Sequence, residues 1–190
     1  MESPMSHTAA RKVEMITLGG GCFWCTEAVF TQVKGIVSVE SGYANGELPT
    51  RPTYEQVCTG KTGYVEVVRL GFDPEQISVA QVLEIFFTIH DPTSLNRQGA
   101  DTGTQYRSGI YVEEDAHRDV ANDLIRDIND SHVLGKPVVT EVESLRNYWP
   151  AEDYHQRYFE NNPNQGYCAA VVGPKVDQFK TTFKSLLIGQ

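Results

Sequence analysis

The chain predicts one α+β domain, with helices packed on a small mixed β-sheet. Three observations lead there. At 190 residues, it has room for a single domain with its own core. Hydrophobic residues make up 40% and charged residues 22%, ordinary globular values that argue against general disorder. Short apolar runs and amphipathic stretches follow one another without strict alternation, which favours an α+β arrangement.

Met1–Lys12 is polar and reads as a loose leader ahead of one domain over residues 13–190. Val13–Leu18 is an apolar run ended by Gly19-Gly20-Gly21 and predicts a buried strand. Phe23–Val33, with Ala28, Val29 and Val33 apolar, predicts a helix. Ile36–Val39 predicts a second strand, followed by a turn-rich loop through Gly42, Asn45-Gly46, Pro49 and Pro52. Tyr54–Phe72 reads as a pair of strands broken at Gly60–Gly63. Ser78 is a good N-cap for a helix through Ile89, with Val79, Val82, Leu83, Phe86 and Phe87 as its apolar stripe and Asp91-Pro92 as its stop.

Thr93–Arg107 is a polar loop of unusual length, which reads as either functional or disordered. Ile110–Val112 predicts a strand, Asp115–Asn129 a helix, and Val138–Val142 another strand. Tyr148–Phe159 is aromatic-rich and reads as a short helical stretch, and Asn161–Gly166 as a turn-rich run before Cys168. Val176–Leu187 predicts an amphipathic helix with Phe179, Phe183 and Leu187 on one stripe.

The balance of 16 Lys+Arg against 25 Asp+Glu gives a formal net charge of −9. No basic excess exists to displace counterions from nucleic acid or to approach anionic lipid. No stretch reaches the roughly 18–20 apolar residues of a spanning helix, and the N-terminus lacks an apolar signal-peptide core. A reducing, cytoplasmic compartment is expected, so the four cysteines, Cys22, Cys25, Cys58 and Cys168, are not read as a disulfide framework.

The sharpest local feature is Gly19-Gly20-Gly21-Cys22-Phe23-Trp24-Cys25. Glycines allow a tight turn that exposes the next residue, and Cys22 falls at a helix start, where free N–H groups and the dipole favour a thiolate. That help is about 0.3–1 kcal/mol, at most about 2, so much of the thiol stays protonated until another group completes its activation. A lone cysteine is more often a packed core residue; the glycines and the exposed junction tip Cys22 toward chemistry. Adjacent helical residues face differently, so at least one of Phe23 and Trp24 should line a cleft. Cys22 and Cys25 form a Cys-x-x-Cys of the redox type. The second pair needed for a four-thiolate zinc site is absent, and no metal is expected there. Cys58 reads as an inert core thiol. Cys168 reads either as a buried anchor or as a thiol able to swing to another sulfur.

In Tyr64–Phe72, Glu66 shares a strand face with Tyr64, Val68, Leu70 and Phe72. It either points to solvent or is buried with a raised pKa, and buried it would be a general acid near pH 7. Asp101 alone reads as a turn or cap residue, and Tyr54 and Tyr106 as amphipathic packing.

Assembled, these segments resemble the type A methionine sulfoxide reductases. The resemblance rests on Gly21-Cys22-Phe23-Trp24, Ser41-Gly42-Tyr43-Ala44-Asn45-Gly46, Tyr54-Glu55-Gln56-Val57-Cys58, Asp91-Pro92-Thr93-Ser94, Gly103-Thr104-Gln105-Tyr106-Arg107-Ser108, Glu152-Asp153-Tyr154-His155-Gln156 and Gly166-Tyr167-Cys168, in that order. It implies a two-layer sandwich with a ferredoxin-like core and long surrounding coils, with residues 13–190 as one catalytic domain. It also implies that the S epimer of methionine sulfoxide, free or in proteins, is reduced, as repair of oxidative damage. By matched position, Cys22 is the nucleophile, Phe23 and Trp24 cradle the substrate methyl group, and Glu66 protonates the sulfoxide oxygen. Tyr54 and Tyr106 hold that oxygen, Asp101 supports the polar side, and Cys168 resolves the sulfenic acid left on Cys22. No bound cofactor is implied; thioredoxin is the external reductant of a monomer.

Two departures matter. The family's usual Gly-Cys-Phe-Trp-Gly is Gly-Cys-Phe-Trp-Cys here, making Cys25 a second candidate resolver, although the tail motif favours Cys168. The usual Gly-His-Ala-Glu is Gly63-Tyr64-Val65-Glu66, which keeps the acid and alters its surroundings. The competing readings are a general disulfide oxidoreductase using Cys22 and Cys25, and a module that binds oxidised methionine without turnover.

Overall fold

A computed structural model describes residues 12–189. The leader expected over Met1–Lys12 lies, apart from Lys12, outside the described residues. The first half of the chain runs β1 (Glu14–Gly19), α1 (Phe23–Phe30), β2 (Ile36–Ala44), α2 (Tyr54–Cys58), β3 (Val65–Phe72) and α3 (Val79–Ile89). Then come the short strands β4 (Arg97–Gln98) and β5 (Asp101–Thr102), followed by β6 (Gly109–Val112), α4 (Asp115–Ser131), β7 (Glu141–Ser144), β8 (Trp149–Pro150), α5 (Tyr158–Asn161) and α6 (Gly173–Thr182).

The main sheet has the order β7-β6-β1-β3-β2-β8. All neighbours are antiparallel except β6 and β7, which run parallel, so the sheet is mixed. Its inner four strands, β6-β1-β3-β2, are two interleaved βαβ units, in which α1 crosses from β1 to β2 and α3 from β3 to β6. That is the ferredoxin-like core the resemblance implied. Ile16, Leu18, Val68, Leu70 and Phe72 meet Val29, Phe30, Leu83 and Phe86 in one buried cluster. Each such side chain contributes about 1.5–3 kcal/mol when fully buried. On the opposite face, Ala44, Val65, Val67 and Tyr111 form a second small cluster closed by Leu145 and Tyr148. β3 is therefore buried on both faces, and the choice the alternation left open for Glu66 disappears: it lies on the helix-covered face and is 1% exposed.

Several elements differ from expectation. The segment from Tyr54 is a helix rather than a strand, because Thr53 accepts from the Gln56 N–H while the Gln56 side chain accepts from the Thr53 N–H. Cys58 ends that helix and is exposed, not a core thiol. β2 runs on through Gly42 to Ala44 because β3 offers it a partner as far as Val65. β7 begins only at Glu141. The Tyr148–Phe159 stretch breaks into β8, a 3-10 turn at Asp153–His155 and the short α5, with Arg157 at φ 57° interrupting any continuous helix. α6 starts earlier than expected, continuing from a π-helical turn at Cys168–Val172, and stops at Thr182. The α3 helix, with Ser78 and Gln81 in a reciprocal capping box, matches its expected span.

Candidate active site

β1 ends at Gly19, and the chain turns through Gly20 and Gly21 into α1, placing Cys22 at the N-cap. Gly21 has φ +89°, and a Cβ there would stand 2.8 Å from the Gln98 Cβ, so only glycine makes this turn without strain. Cys22 is half-buried and all four cysteines are free thiols.

The first free N–H of α1, on Phe23, donates to Glu66 Oε1 at 3.2 Å, while Glu66 Oε2 is buried with no hydrogen-bond partner among the described residues. Burial, reinforced by the charges of Asp101 and Cys25 and opposed by the Phe23 N–H, pushes the Glu66 carboxyl up to about 8. It is thus mostly protonated at neutral pH.

Sequence position suggested that the helix terminus would draw the Cys22 thiol down. The net direction is up. A hydrogen bond with the Cys25 side chain, burial and the charge of Glu66 outweigh the Trp24 N–H that favours the thiolate. Cys25 moves the other way, lowered first by its bond to Cys22 and then by Lys175. The hydrogen bond between the two thiols therefore raises Cys22 and lowers Cys25.

Tyr54 opens α2 and Tyr106 closes a 3-10 turn at Thr104–Tyr106. Burial and the nearby Glu66 charge push both phenols up, so both remain donors. Asp101 in β5 accepts from the Tyr167 hydroxyl at 2.6 Å. Cys22, Tyr54, Tyr106 and Asp101, which with Glu66 are spread over 85 residues of sequence, thus each interact electrostatically with Glu66. Cys168 is buried, and its thiol is pushed up by burial and then by the charge of Cys25.

Of the two rings after Cys22, Phe23 is 1% exposed and Trp24 is the half-buried one that reaches a surface. Trp24 stacks on Tyr158 at 3.8 Å between ring centroids, meets the edge of Tyr167, and donates from Nε1 to His155 Nδ1 at 3.0 Å. A reading of the residues gave His155, Tyr43, Glu152, Tyr158, Tyr167 and Glu27 no role. Glu152 accepts from the Tyr43 hydroxyl at 2.9 Å and from the Tyr54 N–H at 3.1 Å, anchoring α2 to β2. Buried Glu27 accepts from the Ser41 hydroxyl and from the backbone of Arg157 and Tyr158, which ties the start of α5 to α1. The signal that could have found most of them is their place inside the quoted motifs, since neither periodicity nor spacing marks them.

A family model described as peptide methionine sulfoxide reductase matches residues 14–187. This chain belongs to the peptide methionine sulfoxide reductase family. It is therefore an oxidoreductase of methionine sulfoxide. A peptide methionine sulfoxide reductase MsrA from Polynucleobacter asymbioticus is 54% identical over 178 residues, covering 94% of this chain and 93% of that one. Among solved structures, reduced Mxr1 from Saccharomyces cerevisiae overlays with a TM-score of 0.75 at 36% identity, covering 83% of this chain and 90% of that one. Mxr1 in complex with Trx2 overlays at 0.54 with 25% identity, over 80% of this chain and 91% of that one. The α+β architecture of this reductase is shared with both.

Proposed function

We propose that Cys22 is the nucleophile of this reductase and Glu66 its acid, acting on the S epimer of methionine sulfoxide, free or in proteins. The observation that carries the reading is a carboxyl group buried beside Cys22, raised to about 8, with one oxygen unpartnered. A sulfoxide oxygen leaves only if protonated, and a neutral acid with a free O–H supplies that proton. Tyr54 and Tyr106 hold the oxygen by hydrogen bonds, Asp101 fixes the polar wall through Tyr167, Trp24 contacts the substrate methyl group, and Phe23 is the floor beneath it.

The Cys22 sulfur bonds to the sulfoxide sulfur as Glu66 delivers its proton to the oxygen. Cys22 gives up its own proton, which returns the acid to its starting state. The S–O bond of this adduct then breaks as its oxygen bonds to the Cys22 sulfur, and the S–S bond cleaves with its electron pair returning to the methionine sulfur, so methionine leaves and Cys22 becomes a sulfenic acid. A second thiol displaces water from the sulfenic acid to form a disulfide. Although the tail motif favours Cys168, the hydrogen bond of Cys25 to Cys22 and the burial of Cys168 support Cys25 as the first resolver, with Cys168 as the alternative. A dithiol of the thioredoxin class reduces the disulfide by exchange, a reading supported by the Trx2 complex of Mxr1. Residues 13–190 form the catalytic unit, working as a cytoplasmic monomer with no bound cofactor; no helix among the described residues is long and apolar enough to cross a membrane.

The test is methionine formed per enzyme from a methyl sulfoxide, without reductant. Wild type should release at least one equivalent and Cys22→Ser none; full release by Cys22→Ser would end the reading. A general disulfide oxidoreductase built on Cys22 and Cys25 would need none of Glu66, Tyr54 and Tyr106, and would ignore the sulfoxide.

A further inference from the structure

At the end of the sheet remote from Cys22, three side chains converge that the reaction does not use. Glu14 is the first residue of β1, Glu114 is the N-cap of α4, and His117 lies in the first turn of α4. β1 carries the chain from Glu14 to Gly19, a span of about 17 Å at about 3.3 Å per residue, so this cluster and the thiol site stand at opposite ends of one strand. One donor atom from each residue falls within 4.8 Å of the other two. His117 Nε2 is 3.4 Å from Glu14 Oε1 and 3.0 Å from Glu114 Oε2.

Three features mark this as more than an acidic surface. His117 is 2% exposed, yet neither ring nitrogen makes a hydrogen bond among the described residues. Glu114 Oε2 is likewise buried and without a hydrogen bond, and although Glu114 occupies the N-cap, its carboxylate caps no backbone N–H. The oxygens flank Nε2 at short range without lying along its N–H direction. That arrangement wastes a hydrogen bond but suits coordination: an ion about 2.1 Å from each donor sets neighbouring donors about 3.0–3.4 Å apart, off the axis of the ring nitrogen.

We propose that Glu14, Glu114 and His117 bind a divalent first-row transition ion, with water completing the shell. One imidazole and two carboxylates form a borderline-to-hard donor set suited to Mn2+ or Zn2+. The ion would tie the start of β1 to the N-terminus of α4. His117 Nδ1 lacks the acceptor that usually orients a ligating imidazole, which places affinity about 10–100-fold below a site that has one.

Mn2+ is the probe, because thiolates at Cys22 and Cys25 favour softer ions. The free-ion electron paramagnetic resonance signal should fall by one equivalent per reduced chain, and equally in Cys22→Ser/Cys25→Ser. Glu14→Gln/Glu114→Gln and His117→Leu should each lose that equivalent while keeping the wild-type circular dichroism spectrum. Should His117→Leu fail to fold, the double Gln variant decides. No signal loss at millimolar Mn2+ overturns the site, and so does loss that persists in the double Gln variant, which would show ion bound elsewhere. Since the readout is bound ion, the result is independent of sulfoxide turnover.

Discussion

In the proposed reaction, Glu66 is where burial becomes chemistry. A carboxyl in water titrates near 4.5, and this one is raised to about 8 because its charged form would have one bond from the Phe23 N–H and an orphaned second oxygen. The same shift affects stability. Between about pH 4.5 and 8 the folded state holds a proton that the unfolded chain has released, so stability is fully present below that window. It falls as pH rises, by about 1.4 kcal/mol per unit from this group alone. Glu66→Gln should remove that slope in urea unfolding followed from pH 5 to 8. In single-turnover assays it should also slow methionine formation by about 10²–10⁴-fold and abolish the loss of wild-type rate above about pH 8. An unchanged rate would strip Glu66 of its role. Residue types and motif order made Cys22 and Glu66 legible as candidates. The upward direction of the Cys22 thiol was not, because it depends on Cys25 and Glu66 lying against one sulfur.

The elements that aim the site are short and lean on local chemistry. α2 has five residues, too few to persist alone, and it is held by the Thr53–Gln56 capping box and by Glu152 on the Tyr54 N–H. The glycine turn before α1 is equally constrained. Gly21→Ala places a Cβ in a left-handed conformation, costing about 1–2 kcal/mol, and crowds Gln98, adding about 1–3. The urea midpoint should drop accordingly; a midpoint equal to wild type would mean that the turn relaxes. The α3 helix was readable at residue resolution because its cap, stripe and stop agree. α2 was misread as a strand because a five-residue helix shows no period, and the Thr53–Gln56 pair was the signal to weigh. Cys58 followed α2 out to the surface.

Across the whole molecule, the C-terminal segment brings Tyr167 and Cys168 up to α1, where the proposed nucleophile lies. The π-helical turn at Cys168–Val172 packs against α1, Tyr167 reaches over the site to Asp101, and Cys168 has no exposed surface. Disulfide mapping of rapidly quenched protein after one turnover should find Cys22–Cys25 first, and Cys25→Ser should slow disulfide formation while the tail rearranges. A Cys22–Cys168 bridge as the sole early product would reverse that order. The α+β class, the two capped or glycine-hinged helix starts at Ser78 and Cys22, and the set of residues proposed to carry the chemistry were legible in the sequence, because these depend on local propensity and motif order. The tertiary structure alone decided that β3 is covered on both faces, that burial raises the Glu66 carboxyl, and that Cys25 hydrogen-bonds Cys22 while Cys168 lies buried. Those outcomes arise from desolvation and from contacts between residues far apart in the chain, and periodicity along one strand or helix carries no record of what packs against its second face.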